Sequence, residues 1–174
     1  GCYKREVFEK TGLFDTDLVR NQDDEFNGRL LNMGGKIFLI PQVIINYTAR
    51  DSLRKMRHMY YQYGLYKPLV NKKLGAPATI RQFFPLMFLA GLVVGGVLSI
   101  FFLWIRYIYL AVLILYLIIG LVVGAMGAIR THNPVIMLLM PYVFLNIHVS
   151  YGFGYLRGIL KVLGHKSFNV KSNR

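Results

Sequence analysis

Acidic residues are missing from most of this chain, and cysteine is almost absent. The eight Asp and Glu residues all lie at or before Asp51, while Lys and Arg continue to the last residue, and the formal net charge is +13. Only 17% of the 174 residues are charged, whereas a soluble domain has about a quarter charged residues. The single cysteine, Cys2, excludes an internal disulfide framework and a cysteine-based zinc site within one chain. These absences exclude an ordinary soluble globule, and the 55% of hydrophobic residues excludes a disordered chain.

Two long uncharged runs follow the part of the chain that contains the acids. Residues 83–105 and 107–129 contain no charged side chain, and about 20 apolar residues are enough to cross the bilayer core. Only Arg106 separates the two runs. The sequence therefore predicts a transmembrane helical hairpin over residues 83–130, with its tip at Arg106.

A third apolar segment, residues 135–156, is less uniform because it contains proline, asparagine, histidine and serine. It lies within a C-terminal region, residues 131–174, that ends in a basic tail. The segment is re-entrant, interfacial or spanning. We favour two full spans with a re-entrant or interfacial third segment, because this arrangement places both basic regions on the cytoplasmic side.

The first 82 residues are expected to face water and to form short elements. Helices are predicted over 4–11 and 22–33, the first stopped by Gly12 and the second by Gly34 and Gly35. Residues 37–40 and 43–47 have a strand-like composition and are separated by Pro41. The chain opens at Gly1 inside an apparently ordinary helix, so we expect a fragment of a longer protein.

A basic, tyrosine-rich amphipathic helix is predicted within residues 51–82, directly before the first apolar run. Asp51 or Ser52 is its expected N-cap. Its candidate interfacial residues are Arg54, Arg57, Tyr60, Tyr63 and Tyr66. Such a helix is typical of a membrane interface, with aromatic rings at headgroup depth and cations on anionic lipid. Membrane lipids are therefore expected partners, and nucleic acid is not, because no nucleic-acid-binding motif is present.

Three consecutive carboxylates, Asp23, Asp24 and Glu25, open the second predicted helix. One of them could act as a general base for a hydroxyl nucleophile, and the helix dipole would help to keep it ionised. Simple capping of the helix is the structural alternative, and binding of Mg²⁺ or Mn²⁺ is a third. Consecutive helical residues point about 100° apart, so the three carboxylates do not easily share one ion.

The stretch from Arg5 to Lys67 resembles the C-terminal half of family 2 glycosyltransferases, especially the membrane-anchored enzymes of succinoglycan-type exopolysaccharide biosynthesis. The matching pieces are Arg5-Glu6-Val7-Phe8, Gly12-Leu13-Phe14-Asp15, Asn21-Gln22-Asp23-Asp24-Glu25-Phe26-Asn27-Gly28-Arg29-Leu30, Gly35-Lys36-Ile37, Arg50-Asp51-Ser52-Leu53 and Tyr60-Tyr61-Gln62-Tyr63-Gly64-Leu65-Tyr66-Lys67. Their order and spacing fit the family together. The resemblance implies an α/β fold class, with residues 1–50 as part of a Rossmann-like GT-A catalytic domain, followed by an α-helical transmembrane region.

The same resemblance implies an inverting transfer of a sugar from a nucleotide-sugar to a lipid-linked sugar or a growing polysaccharide. The reaction is expected at the cytoplasmic face of the bacterial inner membrane, in a multi-pass protein. Asp23 matches the catalytic base of the family. The acceptor-side and supporting candidates are Asp15, Gln22, Asp24, Glu25 and Arg29. Gln22 stands where the family has Glu, and Arg29 is expected to pair with a carboxylate of its own helix.

A further resemblance covers residues 148–155, which are similar to a His-x-x-Tyr-Gly-x-Gly stretch near the C-terminus of the same group. His148 and Tyr151 lie three residues apart, and Gly154 and Gly158 form a small-xxx-small pair that lets helices approach closely. We interpret these four residues as packing residues of the membrane segment.

The nucleotide-sugar half of the family, with its metal-binding Asp-x-Asp, does not precede Asp23. Asp15-Thr16-Asp17 has the right letters but follows the acceptor-side turn, and we interpret it as a chance match. We therefore expect Mg²⁺ or Mn²⁺ only in the full-length enzyme, no metal bound by this chain, and no activity of this chain alone. The alternative function is a non-catalytic membrane anchor or transport subunit with a basic cytosolic head.

Overall fold

A computed structural model describes residues 1–48, 50–77 and 79–168. These residues form helices and irregular segments. In chain order, the helices are α1 Arg5–Thr11, α2 Gln22–Asn32, α3 Leu53–Leu74, α4 Phe84–Ala90, α5 Gly96–Phe101, α6 Leu103–Thr131 and α7 Val135–Leu163. A 3-10 turn, Ile80–Phe83, precedes α4, and a π-helical turn, Gly91–Gly95, joins α4 to α5.

The predicted α/β fold class, with residues 1–50 as part of a GT-A domain, is wrong, because the described residues contain no strand. Residues 37–40 and 43–47 are irregular, and their apolar side chains are exposed, Leu39 by 92% and Ile44 by 86%. A strand needs a neighbouring strand to pair its backbone N–H and C=O groups. The described part of the chain offers no such partner, so the strand-like composition gives an exposed apolar segment instead of a sheet.

The predicted helix boundaries in the N-terminal part are confirmed. Gly12 directly after α1 and Gly34 two residues after α2 adopt φ values of 78° and 80°, which glycine adopts at little cost. Ser52 is the N-cap of α3, and its side chain accepts a hydrogen bond from the N–H of Lys55. Local side-chain and backbone chemistry therefore sets where these helices begin and end.

Among the described residues, three helical segments are long and apolar enough to cross a membrane, namely Ile80–Phe101, Leu103–Thr131 and Val135–Leu163. The tip of the hairpin is Phe102, whose backbone is extended, and not Arg106. Arg106 lies in the first turn of α6, and its Nε donates to the carbonyl of Ser99 at 3.0 Å. It thus satisfies a backbone oxygen near the end of α5, which a helix terminus leaves without an intrahelical partner.

The third apolar segment is one unbroken helix of 29 residues. Such a helix is about 43 Å long, which exceeds the thickness of a bilayer core. A re-entrant segment has to reverse its direction within the membrane, and this helix does not reverse. An unbroken helix favours an interfacial or a spanning segment over a re-entrant one, and the choice among the three stays a prediction. The end of the predicted basic tail, residues 169–174, lies outside the described residues.

Glycines let α7 approach its neighbours closely. A Cβ added to Gly154 would collide with the backbone carbonyl of Tyr61, and one added to Gly158 would collide with that of Leu65, both in α3. Towards the other end of α7, a Cβ on Gly124 of α6 would lie 2.8 Å from the Cα of Met137. Helix α7 therefore packs closely, backbone against backbone, on α3 near one end and on α6 near the other.

The best-buried cluster lies where α3 meets the segment before α2. It consists of Leu18, Leu65, Tyr66 and Val70. We expected Tyr66 at the membrane interface, but it is fully buried here, and its hydroxyl donates to the carbonyl of Phe168 at 2.6 Å. Its position in the core follows from the close approach of α3 to α7, which no local pattern reveals.

Candidate functional site

The segment before α2 is anchored to the middle of α3. Asn21, the N-cap residue of α2, has a left-handed backbone with φ 61°, and its side-chain amide donates to the carbonyl of Tyr63 at 3.0 Å. Arg20 Nε donates to Oε1 of Gln62 at 3.0 Å, and Gln62 is fully buried. These two bonds hold the start of α2 beside α3.

The three carboxylates at the start of α2 have different surroundings. Asp24 forms an ion pair with Lys67 of α3 at 2.7 Å. Glu25 is only 3% exposed and pairs with Arg29 at 2.7 Å. Asp23 is exposed and forms no ion pair with any residue in the described ranges. Because its two neighbours are already paired, Asp23 is the carboxylate of this turn that is available to a ligand. Gln22, directly before it, is exposed as well.

Glu25 and Arg29 hold the loop between α1 and α2. The guanidinium of Arg29 donates to the backbone carbonyls of Thr11 and Leu13, the latter at 2.8 Å. It also lies over the ring of Phe26, 5.4 Å from the centroid. The loop that carries Asp15 is therefore tied to α2 through a largely buried ion pair.

Arg29→Met is expected to destabilise the protein by about 2 kcal/mol, because it leaves the buried carboxylate of Glu25 without its partner. Arg5→Met is the matched control, because Arg5 and Glu9 form a pair of the same spacing whose side chains are 93% and 63% exposed. The control should change stability by less than about 0.5 kcal/mol. Thermal unfolding of the intact protein in detergent measures both, and equal losses would show that burial adds nothing to the Glu25–Arg29 pair.

Asp15 and Asp17 both pair with Lys73 near the end of α3, at 2.5 and 3.0 Å. Partial burial disfavours the charged form of Asp15, but the Lys73 ammonium and the backbone N–H of Asp17 outweigh it, so the pKa of Asp15 lies below its usual value. Carboxylates already paired with a cation do not suit a divalent ion. In the described residues, no group of three or more His, Cys, Asp or Glu side chains could hold a metal. Mg²⁺ or Mn²⁺ in the full-length enzyme stays a prediction.

A basic cavity of about 970 Å³ opens between α3 and α7. The side chains that line it come from the segment before α2, from α3 and the loop before it, and from α7. They are Arg20, Arg50, Ser52, Arg54, Lys55, Arg57, His58, Met59, Tyr61, Gln62, Val149, Ser150 and Phe153. None of these described residues is acidic. Lys55 is paired at 2.9 Å with Asp51, which lies outside the lining, so the four arginines dominate the charge of the cavity.

The cavity brings together residues that were not predicted from the sequence to lie close to one another. Arg54 and Arg57 were predicted to face the membrane interface, and they line the cavity together with Arg20. Sequence reasoning missed Arg20 and Gln62, because 42 residues separate the two side chains that hydrogen-bond to each other. The signal that could have found Arg20 is its position directly before the N-cap of α2.

The other tyrosines and the histidine of the predicted site lie in packing positions. Tyr60 and Tyr63 are partly buried and meet edge to face, with ring centroids 5.9 Å apart. In α7, His148 Nδ1 lies 2.8 Å from the Tyr116 hydroxyl of α6. The ring of Tyr151 stacks on that of Tyr155 at 6.1 Å. These contacts join helices and do not point to a separate ligand site.

The chain is similar to a curated protein, the dolichyl N-acetyl-alpha-D-glucosaminyl phosphate 3-beta-D-2,3-diacetamido-2,3-dideoxy-beta-D-glucuronosyltransferase of Methanococcus voltae, with 28% identity over 170 residues. The match covers 97% of this chain and 48% of the relative, so the chain spans about half the length of the relative. No family model and no solved structure matches the chain. The likeness is to a glycosyltransferase; membership of family 2, a succinoglycan-type role and the bacterial inner membrane stay predictions.

Proposed function

We propose that this chain belongs to a membrane-bound glycosyltransferase that transfers a sugar to a lipid-linked acceptor, with Asp23 as the general base. One arrangement carries the proposal. The exposed carboxylate of Asp23, which forms no ion pair with a described residue, lies in the first turn of a helix that is anchored beside a basic cavity, and a candidate membrane helix forms another wall of that cavity. The name of the Methanococcus voltae relative, which includes a dolichyl phosphate and a glucuronosyltransferase activity, supports the proposal.

The proposed chemistry is a single inverting displacement. Asp23 accepts the proton of an acceptor hydroxyl while the oxygen of that hydroxyl forms a bond to C1 of the donor sugar. The bond between C1 and the nucleotide diphosphate breaks, and the diphosphate leaves with the electron pair.

The donor is a separate part of the proposal. Because the chain spans about half of its relative, we propose that residues outside these 174 bind the nucleotide-sugar, and that this chain alone is inactive. The position at the cytoplasmic face of the membrane and the inverting stereochemistry rest on the resemblance to family 2 glycosyltransferases. No step is assigned to a metal ion.

A transfer assay on membranes tests the function. Membranes from cells that make the intact protein, and from cells that lack it, are incubated with radiolabelled nucleotide-sugars and a prenyl-phosphate-linked N-acetylglucosamine. Label should enter the fraction extracted by organic solvent only when the protein is present. Equal labelling in both membranes, over a panel of donors and acceptors, would contradict the proposal and favour a non-catalytic anchor or transport subunit.

A further inference from the structure

We propose that the basic cavity between α3 and α7 binds the phosphate of the lipid-linked acceptor and holds the first isoprene units of its chain against α7. The inference rests on the proposed function. It assigns the phosphate of the acceptor to the arginines of the cavity and the isoprene units to the apolar side chains of α7. Three features of the cavity carry it: the charge of its lining, its apolar wall and its distance from Asp23.

The charge of the lining suits a phosphate. Arg20, Arg54 and Arg57 contribute guanidinium groups to one cavity that has no acidic described residue in its lining. Guanidinium groups form paired, charge-assisted hydrogen bonds with phosphate oxygens. The bond from Arg20 Nε to the fully buried Gln62 restricts the orientation of this guanidinium, so the cavity has a prearranged cation and not only mobile surface charges.

The apolar wall distinguishes a lipid phosphate from a nucleotide. Val149 and Phe153 belong to α7, which is a candidate membrane span, and both line the cavity opposite the arginines of α3. The ring of Phe153 lies 6.2 Å from that of Tyr61, centroid to centroid. A prenyl phosphate joins its phosphate directly to an apolar chain, so it needs cations beside an apolar wall at membrane depth. A nucleoside diphosphate has a base that stacks on aromatic rings, but it has no aliphatic chain that continues along the apolar side chains of α7.

The distance to Asp23 suits an acceptor sugar. Arg20 precedes Asp23 by three residues, so their Cα atoms are at most about 11 Å apart. One sugar ring attached to a phosphate at Arg20 can span this distance with its free hydroxyls. The volume of about 970 Å³ also exceeds what a phosphate alone requires and is typical of a site for a larger ligand. Asp23 is not among the residues that line the cavity, so the proposal places the phosphate in the cavity and the acceptor sugar between the cavity and Asp23.

Binding of farnesyl phosphate to the intact protein in detergent tests the assignment. We expect the double substitution Arg54→Gln/Arg57→Gln and the single substitution Arg20→Gln to weaken binding by about tenfold or more each. Lys72→Gln is the matched control, because Lys72 is an exposed cation of α3 outside the cavity, and it should change the Kd by less than about twofold. Farnesol, which lacks the phosphate, should bind weakly to all proteins. Unfolding midpoints show whether each variant is folded.

Equal binding of farnesyl phosphate by the folded cavity variants and by Lys72→Gln would overturn the proposal. Displacement of farnesyl phosphate by uridine diphosphate would assign the cavity to the donor and would also overturn it. A third experiment measures lipid binding in nanodiscs. If the arginine substitutions weaken the binding of phosphatidylglycerol but not that of farnesyl phosphate, the cavity binds bulk lipid headgroups, and the proposal is overturned as well. A different variant tests the proposed base. Asp23→Asn should bind farnesyl phosphate with the affinity of the unsubstituted protein. If it also retains turnover, the assignment of Asp23 as the base is wrong, while the assignment of the cavity stands.

Discussion

Asp23→Asn is expected to lower the turnover of the intact enzyme by about 10²- to 10⁴-fold, the usual contribution of a general base. The amide has nearly the shape of the carboxylate but does not accept the proton of the acceptor hydroxyl. Asp23 is exposed and forms no ion pair with a described residue, so the substitution should leave stability and substrate binding nearly unchanged. The loss should therefore appear in kcat and not in KM.

Asp24→Asn is the matched control for this experiment. Asp24 lies next to Asp23 in the same helical turn, but it is paired with Lys67 at 2.7 Å and holds α2 against α3. Loss of this partly exposed pair should reduce turnover by less than about tenfold. Steady-state transfer to a prenyl-phosphate-linked acceptor measures both variants. Full turnover in Asp23→Asn, or an equally large loss in Asp24→Asn, would remove the reason for choosing Asp23 as the base.

Gly154→Val should lower the free energy of unfolding by about 3 kcal/mol, which is more than we expect for Arg29→Met, because the backbones of α7 and α3 are in contact at this glycine. An added Cβ would meet the carbonyl of Tyr61 and would lie 3.1 Å from the backbone N of Leu65. Neither atom belongs to a flexible side chain, so one helix has to move. Displacement of α7 should also weaken binding of farnesyl phosphate, since Phe153 is the adjacent residue and lines the cavity.

Gly91→Ala provides the control for a glycine of the candidate membrane helices. A Cβ on Gly91 meets no atom within 4 Å, and alanine is the better helix former, so stability should change by less than about 1 kcal/mol. Thermal unfolding of the intact protein in detergent compares the two variants. A melting midpoint for Gly154→Val equal to that of Gly91→Ala would show that the close contact between α3 and α7 does not hold the protein together.

The start of α2 illustrates how far local sequence reasoning reaches. Three acids at a helix N-terminus are readable from the sequence, and so is the general value of one of them as a base. The pair between Glu25 and Arg29 is local, because the two residues lie one helical turn apart, and it was expected from the sequence. The pair between Asp24 and a lysine 43 residues away is not readable from the sequence. Both pairs agree with the choice of Asp23 that the resemblance had already suggested. Tyr66 shows the same limit, since its periodicity suits an interface helix, but it is buried in a cluster with Leu18 of the segment before α2 and its hydroxyl donates to the carbonyl of the distant Phe168.

The sequence by itself determined the helix boundaries of the N-terminal part, the three apolar segments and the excess of positive charge. Each of these follows from interactions within a few residues or from the composition of a continuous run. The tertiary structure alone decided the absence of a sheet among the described N-terminal residues, the hairpin tip at Phe102 and the grouping of Arg20, Arg54 and Arg57 around one cavity. Each of these depends on which distant backbone or side chain is near enough to pair. Strand-like residues without a neighbouring strand form no sheet, and arginines far apart in the chain line one cavity when helices bring them together.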